Sequence, residues 1–136
     1  MEALTARARG VTFGVVPLLL ALALAVVFAT PVIAAVPTLS AASVSPSSGT
    51  PSTTITFEVT YRDVDGTQPR WVRVRVGGTN INMSAVGPTD PVAGIRYRAT
   101  GTLSAGTYAV VFRAVAMDWG WAEPLPGGSI TIVAPT

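Results

Sequence analysis

Three observations predict an all-β sandwich. After Pro37, hydrophobic and polar residues alternate in short runs, and Ser/Thr/Gly/Pro clusters separate these runs about every 8 to 12 residues. No stretch beyond the N-terminal segment carries a helical period. The first element belongs to a different class. Arg7 and Arg9 precede a stretch from Val11 to Val36 that is almost wholly apolar, and no charged residue lies between Arg9 and Glu58. Such a segment cannot belong to a small soluble core, and it predicts a hydrophobic N-terminal helix, either a cleaved signal peptide or a signal anchor. Cleavage fits the small residues Val32, Ala34 and Ala35, with Pro31 ending the helix just ahead of them. Retention fits the length of the run, which exceeds the usual h-region of about 7 to 15 residues and approaches the roughly 20 that span a bilayer. On either reading residues 1–35 are the leader and 36–136 the domain. Arg7 and Arg9 stay on the inner side, so the domain is expected to be secreted or on the extracellular face of the cell membrane. Membrane contact is expected only through residues 11–35, and only if the leader is uncleaved.

The domain divides into about seven strands. Thr38 to Val44 is the first, ended by the turn cluster SPSSGTPS. In the second, Thr53 to Arg62, Ile55, Phe57, Val59 and Tyr61 point one way and Thr54, Thr56, Glu58 and Thr60 the other, which fixes the register. Trp71 to Val76 repeats the device, with Val72, Val74 and Val76 inward and Trp71, Arg73 and Arg75 outward. Gly77-Gly78 makes the turn into Asn80 to Met83. Ile95 to Leu103 buries Ile95, Tyr97 and Ala99 and exposes Arg96 and Arg98. In Tyr108 to Met117, the longest run, Tyr108, Val110, Phe112 and Ala114 share one face, and Val111, Arg113 and Val115 the other. Ser129 to Val133 closes the sheet.

Composition removes whole classes of chemistry. The chain has no Cys and no His, which excludes thiol nucleophiles, Ser-His-Asp triads, disulfides and His- or Cys-ligated zinc. All basic residues are Arg, and beyond the leader they nearly balance the acids and form no basic block, so nucleic acid is not an expected partner. A domain of this length buries about 60 to 65 per cent of its unfolded surface, and without disulfides it relies on that packing.

The segments PTLSAASVSPSSGT, TFEVTYRDVDG, WVRVRVGG and TLSAGTYAVVFRAVAMD resemble the immunoglobulin-like modules of bacterial and archaeal surface proteins, relatives of the PKD and fibronectin type III groups. The resemblance runs from about Val36 to Val133. It implies an Ig-like antiparallel β-sandwich and a non-enzymatic role in adhesion, envelope structure or protein–protein interaction, with an extracellular protein or a glycan as partner.

In that architecture the connections at residues 63–69, 84–94 and 118–128 emerge at one end. That end collects Asp63, Asp65, Asp90, Asp118 and Glu123. The Asp-x-Asp-Gly element at Asp63 and Asp65, joined by Asp118, can supply carboxylate oxygens to Ca2+. Ordinary turn chemistry accounts for the same residues. Trp119 and Trp121 lie in the last connection, where they can stack on sugar rings while acids and Arg70 bond the hydroxyls. This gives a carbohydrate-binding module as the alternative function. Equally, one of these tryptophans can close the open end of the core. Trp71 turns outward by alternation unless its strand starts with a bulge. A carboxylate-based hydrolase would need a concave site with two carboxylates at fixed separation, for which short loops leave little room.

Arg73, Arg75 and Arg113 are expected to share the outer face of one sheet with Trp71, Val111 and Val115. Such a face serves either as a docking surface or as a solvated one whose Arg stems cover the valines. On the other sheet Glu58 is expected across from Arg96 or Arg98.

Overall fold

The computed structural model describes residues 33–136; the expected leader, apart from residues 33–35, lies outside them. The described residues form nine strands and no helix, arranged in two sheets. One sheet contains β1 (Thr38–Ser45), β3 (Ile55–Arg62), β6 (Ser84–Val86) and β7 (Ile95–Gly101), in the order β1-β3-β7-β6, and its neighbours are antiparallel. The other contains β2 (Ser48–Gly49), β4 (Pro69–Val76), β5 (Thr79–Asn82), β8 (Gly106–Ala116) and β9 (Leu125–Ile132), in the order β2-β9-β8-β4-β5. Its pairings are antiparallel except the short parallel contact of β2 with β9.

Each of the runs expected from alternation forms a strand. The two additional strands, β2 and β6, are too short to show a period. They are set by backbone pairing with Thr131–Ile132 and with Arg96–Arg98, respectively.

The alternation in β3 and β4 puts every second side chain into one shared core. Ile55, Phe57, Val59 and Tyr61 of β3 and Ile95 of β7 enter it from the four-stranded sheet. Val72, Val74 and Val76 of β4, Val110, Phe112 and Ala114 of β8, and Ile130 and Ile132 of β9 enter it from the other. All of these are at most 3% exposed. Burying each large aliphatic or aromatic side chain contributes about 1.5–3 kcal/mol before entropy is counted, an upper bound because the unfolded chain is itself partly compact.

Three glycines let the backbone meet the packing. Gly77 and Gly78 have φ of 55° and 93°, the left-handed pair that a tight hairpin between β4 and β5 requires. At Gly127 a Cβ would come within 2.7 Å of Phe112 Cε2, so β9 lies over that ring only because the side chain is missing.

Strand register brings three connections to one end. Thr38 of β1 pairs with Arg62, and Tyr61 with Ile95, so β1 starts, β3 ends and β7 starts there. Pro69 pairs with Ala116 and Leu125 with Phe112, which puts the start of β4, the end of β8 and the start of β9 at one end of the other sheet. Hydrogen bonds join the two sets: Asp63 N to Pro91 O at 2.9 Å, Gln68 Nε2 to Thr89 O at 3.0 Å and Met117 N to Gln68 O at 2.9 Å. The connections are shorter than the expected 84–94 and 118–128, because Ser84–Val86 pairs with β7 and Leu125–Gly128 with β8.

Candidate functional site

The acids of the loop end build turns. Asp63 Oδ1 accepts from Asp65 N at 2.9 Å, Asp90 Oδ1 from Val92 N at 3.0 Å and Asp118 Oδ1 from Gly120 N at 3.1 Å. All three bonds run to the residue two positions on, as in an Asx-turn. Asp65 Oδ2 accepts from Ala35 N at 2.7 Å and ties the entering chain to this end. Among the described residues no group of three or more acidic side chains is placed to hold a metal ion, so Asp63, Asp65 and Asp118 are not brought together as a ligand set. Asp63 is nevertheless buried, and its Oδ2 has no hydrogen-bond partner among the described residues. The neighbouring Tyr61 donates its hydroxyl to Thr67 O at 3.0 Å, closing the first connection over the core. Burial, and then the nearby Asp63 and Asp118 carboxylates, push its phenol well above the ordinary tyrosine range.

The second candidate surface is the outer face of the five-stranded sheet. Trp71 of β4 pairs with Val115 of β8, Arg73 with Arg113 and Arg75 with Val111. The pairing shifts between Pro69 and Trp71, yet Trp71 keeps its outward side because Val72, Val74 and Val76 are inward. Val115 points to the same outer face but is fully buried: Trp71 flanks it on β4, and Trp121 forms an isolated antiparallel bridge with it on the other side.

The two indoles meet edge to face, with centroids 5.5 Å apart and planes at 79°. Arg73 lies over Trp71 at 4.2 Å, and Arg113 lies near the Trp121 ring at 5.8 Å. The result is a continuous row of Arg73, Trp71, Trp121 and Arg113. Arg73 is further fixed by its Nε, which donates to Asn82 Oδ1 at 2.9 Å.

A second stack continues this face onto the loop end. Arg70 sits 3.8 Å over the Trp119 ring and donates from Nη2 to Met117 O at 2.8 Å. Trp119 N donates to Ala116 O at 2.9 Å, and Ala116 N to Gly120 O at 2.8 Å, so residues 116–120 form a tight hairpin. Trp119 has φ of 67° there, at a left-handed position that such a hairpin normally gives to glycine. A bulky aromatic residue in that region is a backbone outlier costing about 1–3 kcal/mol, and outliers of this kind gather at functional sites.

Neither loop tryptophan closes the end of the core. Trp119 is 62% and Trp121 51% exposed, and the buried residue of this segment is Ala122. Trp121 covers the sheet from outside because its bridge to Val115 turns it onto the outer face.

Charge separates the two sheets. Among the described residues the only ion pairs are those of Glu58 with Arg96 at 2.8 Å and with Arg98 at 2.6 Å, on the four-stranded sheet. The hydrogen bonds from Arg96 and Arg98 hold the Glu58 carboxyl below its ordinary range. Arg70, Arg73, Arg75 and Arg113 form no ion pair among the described residues. Beside their row lies a pocket of about 390 Å³ lined by Pro69, Trp71, Asn82, Met83 and Tyr97 among others. It opens where β4 extends past β5, which pairs with it only from Arg73 to Val76.

The sequence pattern placed Trp71, Arg73, Arg75 and Arg113 on one face. It missed Asn82 as the brace of Arg73 and Val115 as a buried residue, since both depend on a strand and a loop brought in from elsewhere. The arrangement offers oriented guanidinium donors and aromatic area to a partner. Neither the family models nor the curated proteins contain a match to this chain.

Proposed function

We propose that this chain is an exported, non-enzymatic Ig-like module that meets an extracellular partner through the Trp–Arg face of its five-stranded sheet. The Ig-like reading is supported by strand order: β1-β3-β7-β6 corresponds to A-B-E-D, and β2-β9-β8-β4-β5 to a G-F-C sheet extended at both edges. It is also supported by Tyr108, near the start of β8, whose hydroxyl donates to Ser104 O four residues upstream at 2.7 Å, as in a tyrosine corner. Export rests on Arg7, Arg9 and the apolar run that follows them.

The observation that carries the binding role is the row Arg73-Trp71-Trp121-Arg113. It combines an exposed indole with cations that have no carboxylate partner among the described residues. Residues of this type are enriched where proteins meet partners. The exposure of Trp119 and Trp121 favours the second reading, a carbohydrate-binding module. Against it, Arg70 already occupies one face of Trp119.

Binding of the full-length protein to envelope preparations of its source organism tests the contact face. Trp121→Ala is expected to lose most of that binding while keeping a cooperative thermal transition; equal binding by the variant would overturn the reading. Quenching or enhancement of tryptophan fluorescence by neutral polysaccharide would favour the carbohydrate alternative.

A further inference from the structure

Resting on the reading of this face as the contact surface, its charge pattern defines the kind of partner. Arg73 and Arg113 are directly opposite each other on β4 and β8. Like charges so placed destabilise a sheet, and no carboxylate pairs with either among the described residues. The repulsion is held in place: Trp71 and Asn82 brace Arg73, and Trp121 flanks Arg113. Stacking engages the flat face of a guanidinium and leaves its N–H donors for an anion, with Arg73 Nε already committed to Asn82. Arg75 continues the outward row two residues along β4 and is exposed.

We propose that this face binds an extended acidic peptide segment of a protein partner, with carboxylates at alternate positions. Alternate residues of an extended chain repeat at about 6.6–6.8 Å. Arg73 and Arg75 share that repeat because they are themselves alternate residues of a strand. One carboxylate then bridges Arg73 and Arg113, turning their repulsion into two charge-assisted hydrogen bonds, and the next meets Arg75. A side chain flanking the acids enters the mixed polar and apolar pocket between Trp71, Asn82 and Met83. A sugar ring is less well served, because Arg73 occupies a face of Trp71 and the edge contact with Trp121 constrains the same ring.

The experiment is fluorescence anisotropy of the full-length protein with a fluorescein-labelled peptide carrying Glu at alternate positions and one flanking Leu. The comparison ligands are the same peptide with Gln for Glu, and a polyuronate oligosaccharide. Saturable binding of the Glu peptide is expected, lost with the Gln peptide and weakened about tenfold or more by Arg73→Gln with Arg113→Gln. Raising salt from about 0.05 to about 0.5 M should weaken it strongly. Arg75→Gln, at an exposed side chain, should weaken it several-fold and keeps the test valid if the double variant fails to fold. Arg96→Gln on the opposite sheet should leave it unchanged.

Equal binding of the Gln peptide, no effect of Arg75→Gln, or tighter binding of the polyuronate would each overturn the proposal. If the Glu peptide fails to bind while Trp121→Ala still abolishes envelope binding, the acidic-peptide assignment falls and the contact face stands. If Trp121→Ala leaves envelope binding intact, the contact face itself falls.

Discussion

The two outer faces of the domain carry similar arginines in different company. On the four-stranded sheet Arg96 and Arg98 converge on Glu58, so both cations share a carboxylate within the fold. On the five-stranded sheet Arg73 and Arg113 stand opposite each other and lean on Trp71 and Trp121 instead. A carboxylate neutralises a guanidinium, whereas an indole orients it and leaves its charge outstanding. An exposed cation–π contact contributes about 0.5–1 kcal/mol, enough to restrict a side chain but not to replace an anion. The first face therefore supplies a carboxylate to two of its arginines, whereas the second supplies none to Arg73, Arg75 or Arg113 among the described residues.

Because the two sheets share one core, the difference is expected to be confined to their outer faces. Phe57→Ala, from the four-stranded sheet, and Phe112→Ala, from the five-stranded one, should each lower stability by about 3–5 kcal/mol in urea unfolding. A much smaller loss for either would mean that the sheets are not equivalent inside.

Trp71→Ala should cost about 1–2 kcal/mol, through the lost aromatic pair and the uncovering of Val115. No residue of the opposite outer face should cost as much. Trp119→Gly should run the other way, raising stability by about 1 kcal/mol by relieving the left-handed tryptophan, and it should weaken envelope binding in the same sample. A destabilised Trp119→Gly variant would remove the argument that this strain is kept for function.

The smallest effect, and the one with a pH signature, belongs to Glu58. Its folded pKa is depressed by Arg96 and Arg98, so its contribution is present above the ordinary carboxylate range and is lost as pH falls through the lowered value. The gap in melting temperature between wild type and Glu58→Gln should therefore close on acidification from neutrality. A gap that is constant with pH would show that the pair contributes nothing through its charge.

Much of the fold was legible because TFEVTYR and WVRVRV alternate without interruption, which fixes both the strand and the side on which each residue falls. The same pattern put Trp71 and the arginines on the right face. It could not show that Val115, outward by parity, is sealed by Trp121, because that contact depends on a loop whose course has no period. Nor could it assign the loop acids. Asp63, Asp90 and Asp118 each sit two residues before the amide they accept from, a spacing equally compatible with metal ligation until the three-dimensional separation of the turns is known. The short strands β2 and β6 depend on backbone pairing alone and leave no mark in side-chain pattern.

The course of the terminal strands has a mechanical consequence. β1 begins at the loop end, whereas β9 begins there and finishes at the opposite end, where Ile132 pairs with Gly106. Tension applied between residue 35 and residue 136 is thus directed along the strands rather than across them. The parallel contact of β2 with β9, closed by Thr131 N to Ser47 O at 3.0 Å and Val133 N to Gly49 O at 2.9 Å, is loaded in shear, with both hydrogen bonds stretched together instead of unzipped one after the other.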